Sequence, residues 1–377
     1  MTVHQRIDAL SDLRANVAVP FERARAMPRS VYLSPDFLKL EIEKIFAKEW
    51  LCAGRASRLS KPGDYLTMDI AGYPVVVLRD RDMKLRALSN VCLHRMSTLV
   101  QGEGNTRALV CPYHAWTYNL DGTLRGAPGM TLNEGFCKSD YALPSFRCEE
   151  WLGWIMVSVN PDAPPVSEKL AELAKLVEHY GMENYVESFR ETFVWNTNWK
   201  VLAENFMESY HVPVCHRNTI GPQVSLEEVE CPRGTPTFNY HCALKSDEQY
   251  LALAHPNNTR LTGEERRKTY IISVYPALFI SLSPGYFWYL SLYPVSPGEV
   301  QVTYGGGLAP EFREDPEAEK HFAALKVLLD EVNEEDKGCT EKVYRGLVGA
   351  LTEPGHLSHL ERPNFEFAQY VLSKCEA

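Results

Sequence analysis

No stretch of this chain approaches the roughly 18 consecutive apolar residues that a membrane-spanning helix needs. The opening MTVHQRIDALSDLRANVAV carries charges throughout and lacks the apolar core of a secretory signal, so a cytoplasmic location is expected. Basic clusters are missing too. Lys and Arg number 39 against 49 Asp and Glu, a net charge of −10, which argues against nucleic acid or an anionic membrane as partner. Cysteine is sparse, ten in 377 residues, far below the density of a disulfide scaffold. Repeats and low-complexity tracts are absent. What is there is ordinary globular composition, 45% hydrophobic and 23% charged, in a chain long enough for about two domains.

Ser34-Pro35 followed by DFLKLEIEKIFAKEW predicts a capped helix, with Phe37, Leu38, Ile42, Ile45 and Phe46 on one stripe. From about Trp50 the period shortens. DYLTMDI, YPVVVLRD, LRALSNVC and GWIMVSVN read as small antiparallel strands punctuated by Gly, Pro and Asp. This places an N-terminal helical segment at 1–47, a compact β domain at 48–162 and a second domain at 163–377. In the second, SEKLAELAKLVEHYG predicts a helix stopped by glycine and NWKVLAENFMESYH another. ETFVWNTNWK, KTYIISVYPALFISLSPGYFWYLSLYPV and EVQVTYGGGL predict strands, and 315–351 an acidic helix. Strands framed by long helices give an α+β class.

Cysteines at tight spacing in a cytoplasmic chain mean metal or catalysis more often than bridges. Cys92-x-His94 and Cys111-x-x-His114, with 16 residues between them, bring one thiolate and one imidazole on each of two loops. The spacing suits a tetrahedral zinc site, or a [2Fe–2S] cluster with two cysteines on one iron and two histidines on the other. Mixed loops, a β host rather than a strand-strand-helix finger, and the strand and Asp-Gly turn of AWTYNLDG favour the cluster. Here the sequence resembles the Rieske domain family. The other eight cysteines, Cys215 and Cys339 among them, have no partner at ligand spacing and read mostly as buried thiols.

The second constellation is Glu208-x-x-His211-x4-His216. On a helix Glu208 and His211 share a face, whereas His216 would lie about 140° around the axis from His211. Pro213 disfavours continuing the helix and lets His216 turn toward His211. Two imidazoles and one carboxylate from elsewhere make the facial triad of non-haem ferrous oxygenases, with positions left open for dioxygen.

The block NWK…ENF…E-x-x-H-x4-H, downstream of a Rieske motif, resembles the Rieske non-haem iron oxygenase α-subunits of the aromatic-ring-hydroxylating dioxygenase family. In look it is nearest to the α-only enzymes acting on glycine betaine, carnitine and proline betaine. The resemblance implies a Rieske domain followed by a helix-grip catalytic domain with an antiparallel sheet. It makes Cys92, His94, Cys111 and His114 the cluster ligands, and His211, His216 and an acid on a late helix the ferrous ligands. That acid is taken as Asp336, with Glu335 as runner-up. Glu208 becomes the acid that links His211 to His114 of a neighbouring subunit in a trimer, and Asn205 an asparagine near the iron.

The implied reaction draws electrons from NAD(P)H through a separate flavin/iron-sulfur reductase or ferredoxin, since no nucleotide motif is present; GGG at 305–307 lacks the rest of a fingerprint. Oxygen is used to hydroxylate or N-demethylate a small quaternary ammonium compound, an oxidoreductase activity of the mono- or dioxygenase kind. Tyr286-Phe287-Trp288-Tyr289 offer aromatic faces for such a cation, though a strand turns only alternate members, Tyr286 and Trp288 or Phe287 and Tyr289, to one side. The rival substrate is an aromatic carboxylate or O-methyl aromatic acid, for which Arg217 is the candidate anchor. A non-enzymatic helix-grip carrier is the remaining alternative, and a carrier has no need of the iron ligands.

Overall fold

Val75, Val76, Val77 and Leu78 form a continuous apolar run and are all fully buried, as in a strand covered on both faces. That strand, Tyr73–Arg79, lies inside a seven-stranded sheet of the computed structural model, which describes residues 3–245, 250–313 and 315–377. Contacts divide the chain into two compact units, Phe46–Lys169 on the one hand, and residues up to Ile45 with Leu170–Ala377 on the other.

In the β unit the strand order is Leu51–Arg55, Trp154–Ser158, Ser145–Trp151, Leu85–Ser89, Tyr73–Arg79, Asp64–Ile70, Glu103–Asn105. Every pairing is antiparallel. A small sheet of Leu109–Val110, Thr117–Tyr118 and Leu124–Gly126 accompanies it. Cys92, Cys111, Trp116 and Tyr118 belong to the same buried cluster as Val76, Leu78 and Leu88. The two cysteine-histidine loops are thus rooted in the core of the unit rather than appended to its surface.

The other unit is built on six antiparallel strands, in the order Val186–Trp195, Glu299–Leu308, Tyr286–Ser296, Leu278–Leu282, Lys268–Val274, Phe238–Leu244. The α+β class expected from the sequence holds, and the sheet is the antiparallel one expected. Gly305–Gly307 sit in a strand, not a nucleotide loop: a Cβ on Gly307 would fall 1.7 Å from the carbonyl oxygen of Val186 on the neighbouring strand. The helix Ala318–Gly349 runs 32 residues, and Arg362–Glu376 closes the chain. Among the described residues no helix is long and apolar enough to cross a membrane.

The helix Trp199–Phe206 is fixed from three directions. Asn198 caps it through its side-chain oxygen, which accepts from the Lys200 N–H at 2.9 Å, while its amide donates to Tyr32 and Pro297 carbonyls. Thr197 Oγ1 donates to the Thr340 carbonyl at 3.0 Å, tying the helix start to the long C-terminal helix. Lys200, fully buried, pairs with Glu41 at 2.8 Å, and Trp199 Nε1 donates to the same carboxylate at 3.1 Å. A buried charge kept with its partner and extra hydrogen bonds avoids the penalty of an isolated one.

Four elements differ from expectation. The single helix expected over 167–181 is divided at Leu170 into Val166–Lys169 and Ala171–Val177. The N-terminal helix spans Pro35–Glu41, capped by Ser34 as foreseen, then widens into a π-turn at Ile42–Phe46 instead of running on to Trp50. The helix begun at Trp199 ends at Phe206, short of Glu208. The strand Phe238–Leu244 was not anticipated, because Asn239, His241 and Cys242 break the apolar signal.

Candidate metal centres

The two cysteine-histidine loops share one backbone design. Cys92 N–H donates to the carbonyl five residues on, Ser97, at 2.8 Å, and its carbonyl accepts the N–H four residues on, Met96, at 3.0 Å. Cys111 repeats both bonds, to Trp116 at 2.8 Å and from Ala115 at 3.0 Å. Met96 and Ala115 occupy the same place in each loop with φ of 60° and 57°, a left-handed turn that side chains enter only where the surroundings enforce it. The result brings the two imidazoles together, with ring centroids 4.7 Å apart.

Both cysteines are buried. Burial works to raise the Cys111 pKa, but N–H groups of Tyr113 and His114, with Cys92 and Ser97 alongside, outweigh it and lower the thiol below its ordinary value. Tyr118 Oη lies 3.5 Å from Cys92 Sγ and accepts the Leu93 N–H at 2.9 Å, which leaves its own proton to the sulfur. His94 stacks on Trp116, centroids 4.9 Å apart and 6° between planes, and its Nδ1 is buried with no hydrogen-bond partner among the described residues. An orphaned buried imidazole nitrogen beside a thiolate-favouring cysteine fits a metal cluster. The His114 side is exposed.

In the other unit His211, His216 and Asp336 offer three donor atoms within 4.8 Å of one another, the one such group among the described residues. Asp336 Oδ1 is 3.0 Å from His216 Nε2 and 3.4 Å from His211 Nε2, and the two Nε2 atoms are 3.3 Å apart. The Nδ1 atoms point away, each to its own glutamate: His211 to Glu208 at 2.6 Å, His216 to Glu335 at 2.8 Å. A histidine bonded to a carboxylate through Nδ1 presents Nε2 as a metal ligand in fixed orientation. Asp336 is the acid that reaches both rings. Glu335 is instead the support of His216, held by Thr219 Oγ1 at 2.6 Å. Asn205 donates to Asp336 Oδ1 at 2.8 Å and orients it.

Burial of His211 acts against its charge, yet Asp336 and Glu208 push its pKa up to about 10. His216 is raised in the same way, and the imidazoles in turn hold Asp336 well below the carboxylate range despite its burial. Three carboxylates on two imidazoles form a site that demands positive charge, which a divalent ion would supply in place of the protons.

The local route to this geometry differs from the continuous helix expected. Glu208 follows the helix end, and residues 207–211 form turns leading to a short helix, Val212–Cys215. Pro213 is in the first turn of that helix, where its missing N–H costs nothing, rather than being the residue that breaks the first one. Cys215 and Cys339, read from sequence as partnerless thiols, are joined by a disulfide across 124 residues of chain. It ties the segment bearing both histidines to the helix bearing Asp336. Cys137 is exposed, not buried.

A cavity of about 750 Å³, its open mouth included, adjoins the triad. Trp288 lines it as expected, but Tyr286, Phe287, Tyr289 and Arg217 do not. Phe287 and Tyr289 point to the other side of their strand, where Tyr289 Oη donates to Glu187 at 2.7 Å; Arg217 is exposed. Trp288 is joined by Phe206, unforeseen, at 5.2 Å between ring centroids. Also unforeseen are His241, on the strand whose apolar signal was broken, and Lys245, the residue after that strand's end.

Residues 182–377 match the family model of the ring hydroxylating alpha subunit (catalytic domain), and residues 49–146 that of the Rieske [2Fe-2S] domain. A glycine betaine monooxygenase oxygenase subunit of Pseudomonas aeruginosa is 32% identical over 234 residues, covering 61% of this chain and 54% of the relative. The chain thus spans about half the length of that bacterial relative. A chloroplastic choline monooxygenase of Arabidopsis thaliana is 27% identical over 395 residues, covering 96% of this chain and 87% of the relative. Among solved structures, the quaternary ammonium Rieske monooxygenase described for carnitine oxidation superposes with a TM-score of 0.81 at 24% identity, 97% of each chain covered; at that identity it speaks for the fold. With the catalytic-domain model matched over its second half and the Rieske model over its first, the chain belongs to the ring-hydroxylating alpha-subunit family, whose cofactors are a Rieske [2Fe–2S] cluster and a mononuclear iron.

Proposed function

We propose that the protein is the terminal oxygenase component of a multicomponent Rieske oxygenase and oxidises a small quaternary ammonium compound, by hydroxylation or N-demethylation. The observation that carries the reading is the pair of imidazoles converging with Asp336 beside a cavity walled by Phe206 and Trp288. His211, His216 and Asp336 would hold the iron; Cys92 and Cys111, His94 and His114 would hold the cluster. When bound, the cluster delivers single electrons and the iron activates dioxygen.

The chain's own residues then have defined tasks. Glu208 and Glu335 keep both Nε2 atoms aimed inward. Asn205 holds Asp336 to one orientation. The aromatic pair supplies a face for a methylated ammonium. Glu208 would also accept a hydrogen bond from His114 of a neighbouring copy, joining the two centres across a trimer; the exposure of His114 supports this.

The reading includes a separate reductase or ferredoxin, a cytoplasmic location, and a division into 1–47, 48–162 and 163–377, with the first segment serving the catalytic domain. Tyr32 supports that last point by donating to Glu204 at 2.7 Å.

The experiment is substrate-dependent O2 uptake by iron-loaded protein with a surrogate reductase and NADH, over betaines, carnitine, choline and aromatic acids, with aldehyde assayed alongside. Coupled turnover of an ammonium compound is expected. Turnover confined to aromatic acids would replace the substrate class, and ligand binding with no O2 uptake would return the chain to the carriers.

A further inference from the structure

The strand Phe238–Leu244 and the residue after it send His241, Ala243 and Lys245 into the cavity at every second position, as a strand must. His241 marks the end nearer the triad, because its Nε2 is 2.9 Å from Ser209 Oγ, two residues before His211. Lys245 lies four residues further on, about 13 Å along the strand. Its backbone is fixed on both sides by Arg267: Lys245 N–H donates to the Arg267 carbonyl at 2.8 Å, and Arg267 Nε donates to the Lys245 carbonyl at 2.9 Å.

Among the described residues Lys245 has no counter-ion. Among the described residues no carboxylate, hydroxyl or carbonyl meets its ammonium, whereas the buried Lys200 has Glu41 at 2.8 Å and Lys326 has Asp330 at 2.7 Å. The acids that do line the cavity, Glu208 and Asp336, are committed to the histidines. Burial lowers the Lys245 pKa, and no charge among the described residues raises it again. Leaving a lone ammonium in an apolar-walled cavity is unfavourable unless an anion joins it. Among the described residues that line the cavity there is no arginine.

We infer that Lys245 is an anion subsite of the cavity, so that the substrate carries a carboxylate at the end remote from the iron. This rests on the ammonium-substrate reading and narrows it: the preferred molecule is a zwitterion of the betaine type, with its methylated nitrogen against Phe206 and Trp288 and its carboxylate on Lys245. A cationic alcohol such as choline meets an uncompensated positive charge there.

The test is calorimetric binding to the anaerobic holoenzyme, with Lys245→Met and Lys245→Arg beside the wild type and the cluster spectrum as a check on folding. The probes are glycine betaine, γ-butyrobetaine, their methyl esters, choline, and 3,3-dimethylbutanoate, a carboxylate in which carbon replaces the ammonium nitrogen. A charge-assisted hydrogen bond to one carboxylate corresponds to about tenfold to a hundredfold in affinity. Lys245→Met is expected to lose that factor for the free carboxylates and none for the esters or choline, with Lys245→Arg recovering part of it. Equal loss for acids and esters, or no loss for either, overturns the inference. So does a wild type that binds choline or the esters as tightly as the acids, a comparison that needs no variant. Should the wild type bind 3,3-dimethylbutanoate or aromatic acids but no ammonium compound, the ammonium reading falls while the subsite stands, provided those acids weaken in Lys245→Met.

Discussion

Glu335 and Asp336, neighbours in sequence, meet opposite nitrogens of one imidazole: Glu335 Oε2 is 2.8 Å from His216 Nδ1, and Asp336 Oδ1 is 3.0 Å from His216 Nε2. Adjacent positions on a helix point about 100° apart, and His216 inserts into the space between them.

The two acids therefore have separable effects. Asp336→Ala should lose the mononuclear iron and retain the cluster's visible absorption. Glu335→Gln should keep the iron with affinity weakened about tenfold to a hundredfold, the usual cost of losing a supporting carboxylate. Iron titration of the two variants decides it. If Glu335→Gln empties the site and Asp336→Ala does not, the ligand assignment is reversed.

Phe206 and Trp288 meet nearly edge to face, 67° between planes. A cation held on such faces gains about 0.5 to 2 kcal/mol. Trp288→Leu should raise KM for a methylated ammonium substrate about twofold to thirtyfold. Binding of 3,3-dimethylbutanoate, whose tert-butyl end carries no charge where the substrate has its ammonium, should move little, since Leu replaces the apolar contact. Equal losses for both would make the tryptophan a packing residue.

A pH effect follows from Glu204. Burial pushes its pKa up to about 8, against the lowering influence of Tyr32 and Lys200. The folded protein then holds a proton that the unfolded chain releases near 4.5. Stability contributed by this group is present below about pH 4.5 and is lost as pH rises toward about 8. Glu204→Gln, which keeps an acceptor for Tyr32, should remove that slope. Thermal unfolding at about pH 5.5 and about pH 8.5 is the check: the variant should gain on the wild type at the higher pH, and parallel curves would refute the assignment.

Much of the site was legible because metal chemistry constrains residue type and spacing. Cys92, His94, Cys111 and His114 stand in two loops whose separation shows in the sequence, and the loops repeat a single hydrogen-bond plan. Glu208, His211 and His216 were legible even though the helix on which they were placed ends at Phe206, since a turn brings Glu208 to His211 as well as a helix does. Pocket walls carry no such signature. Phe206 lies on a helix whose apolar residues all look alike, and Lys245 follows a strand interrupted by polar residues. Tyr286 to Tyr289 drew attention as an aromatic run, but two of the four face away from the cavity side and only Trp288 reaches it. The link between Cys215 and Cys339 spans 124 residues, a separation that no local pattern reveals.

Glu208, whose carboxylate is 2.6 Å from His211 Nδ1, is proposed to join the two metal centres across neighbouring subunits while holding that ring. The most direct test is stopped-flow oxidation of the chemically reduced cluster by O2 in the presence of substrate, comparing wild type with Glu208→Ala at equal iron content. Rapid oxidation is expected in the wild type, and in the variant a cluster of unchanged spectrum that stays reduced. Oxidation of the variant at the wild-type rate would contradict that joining role.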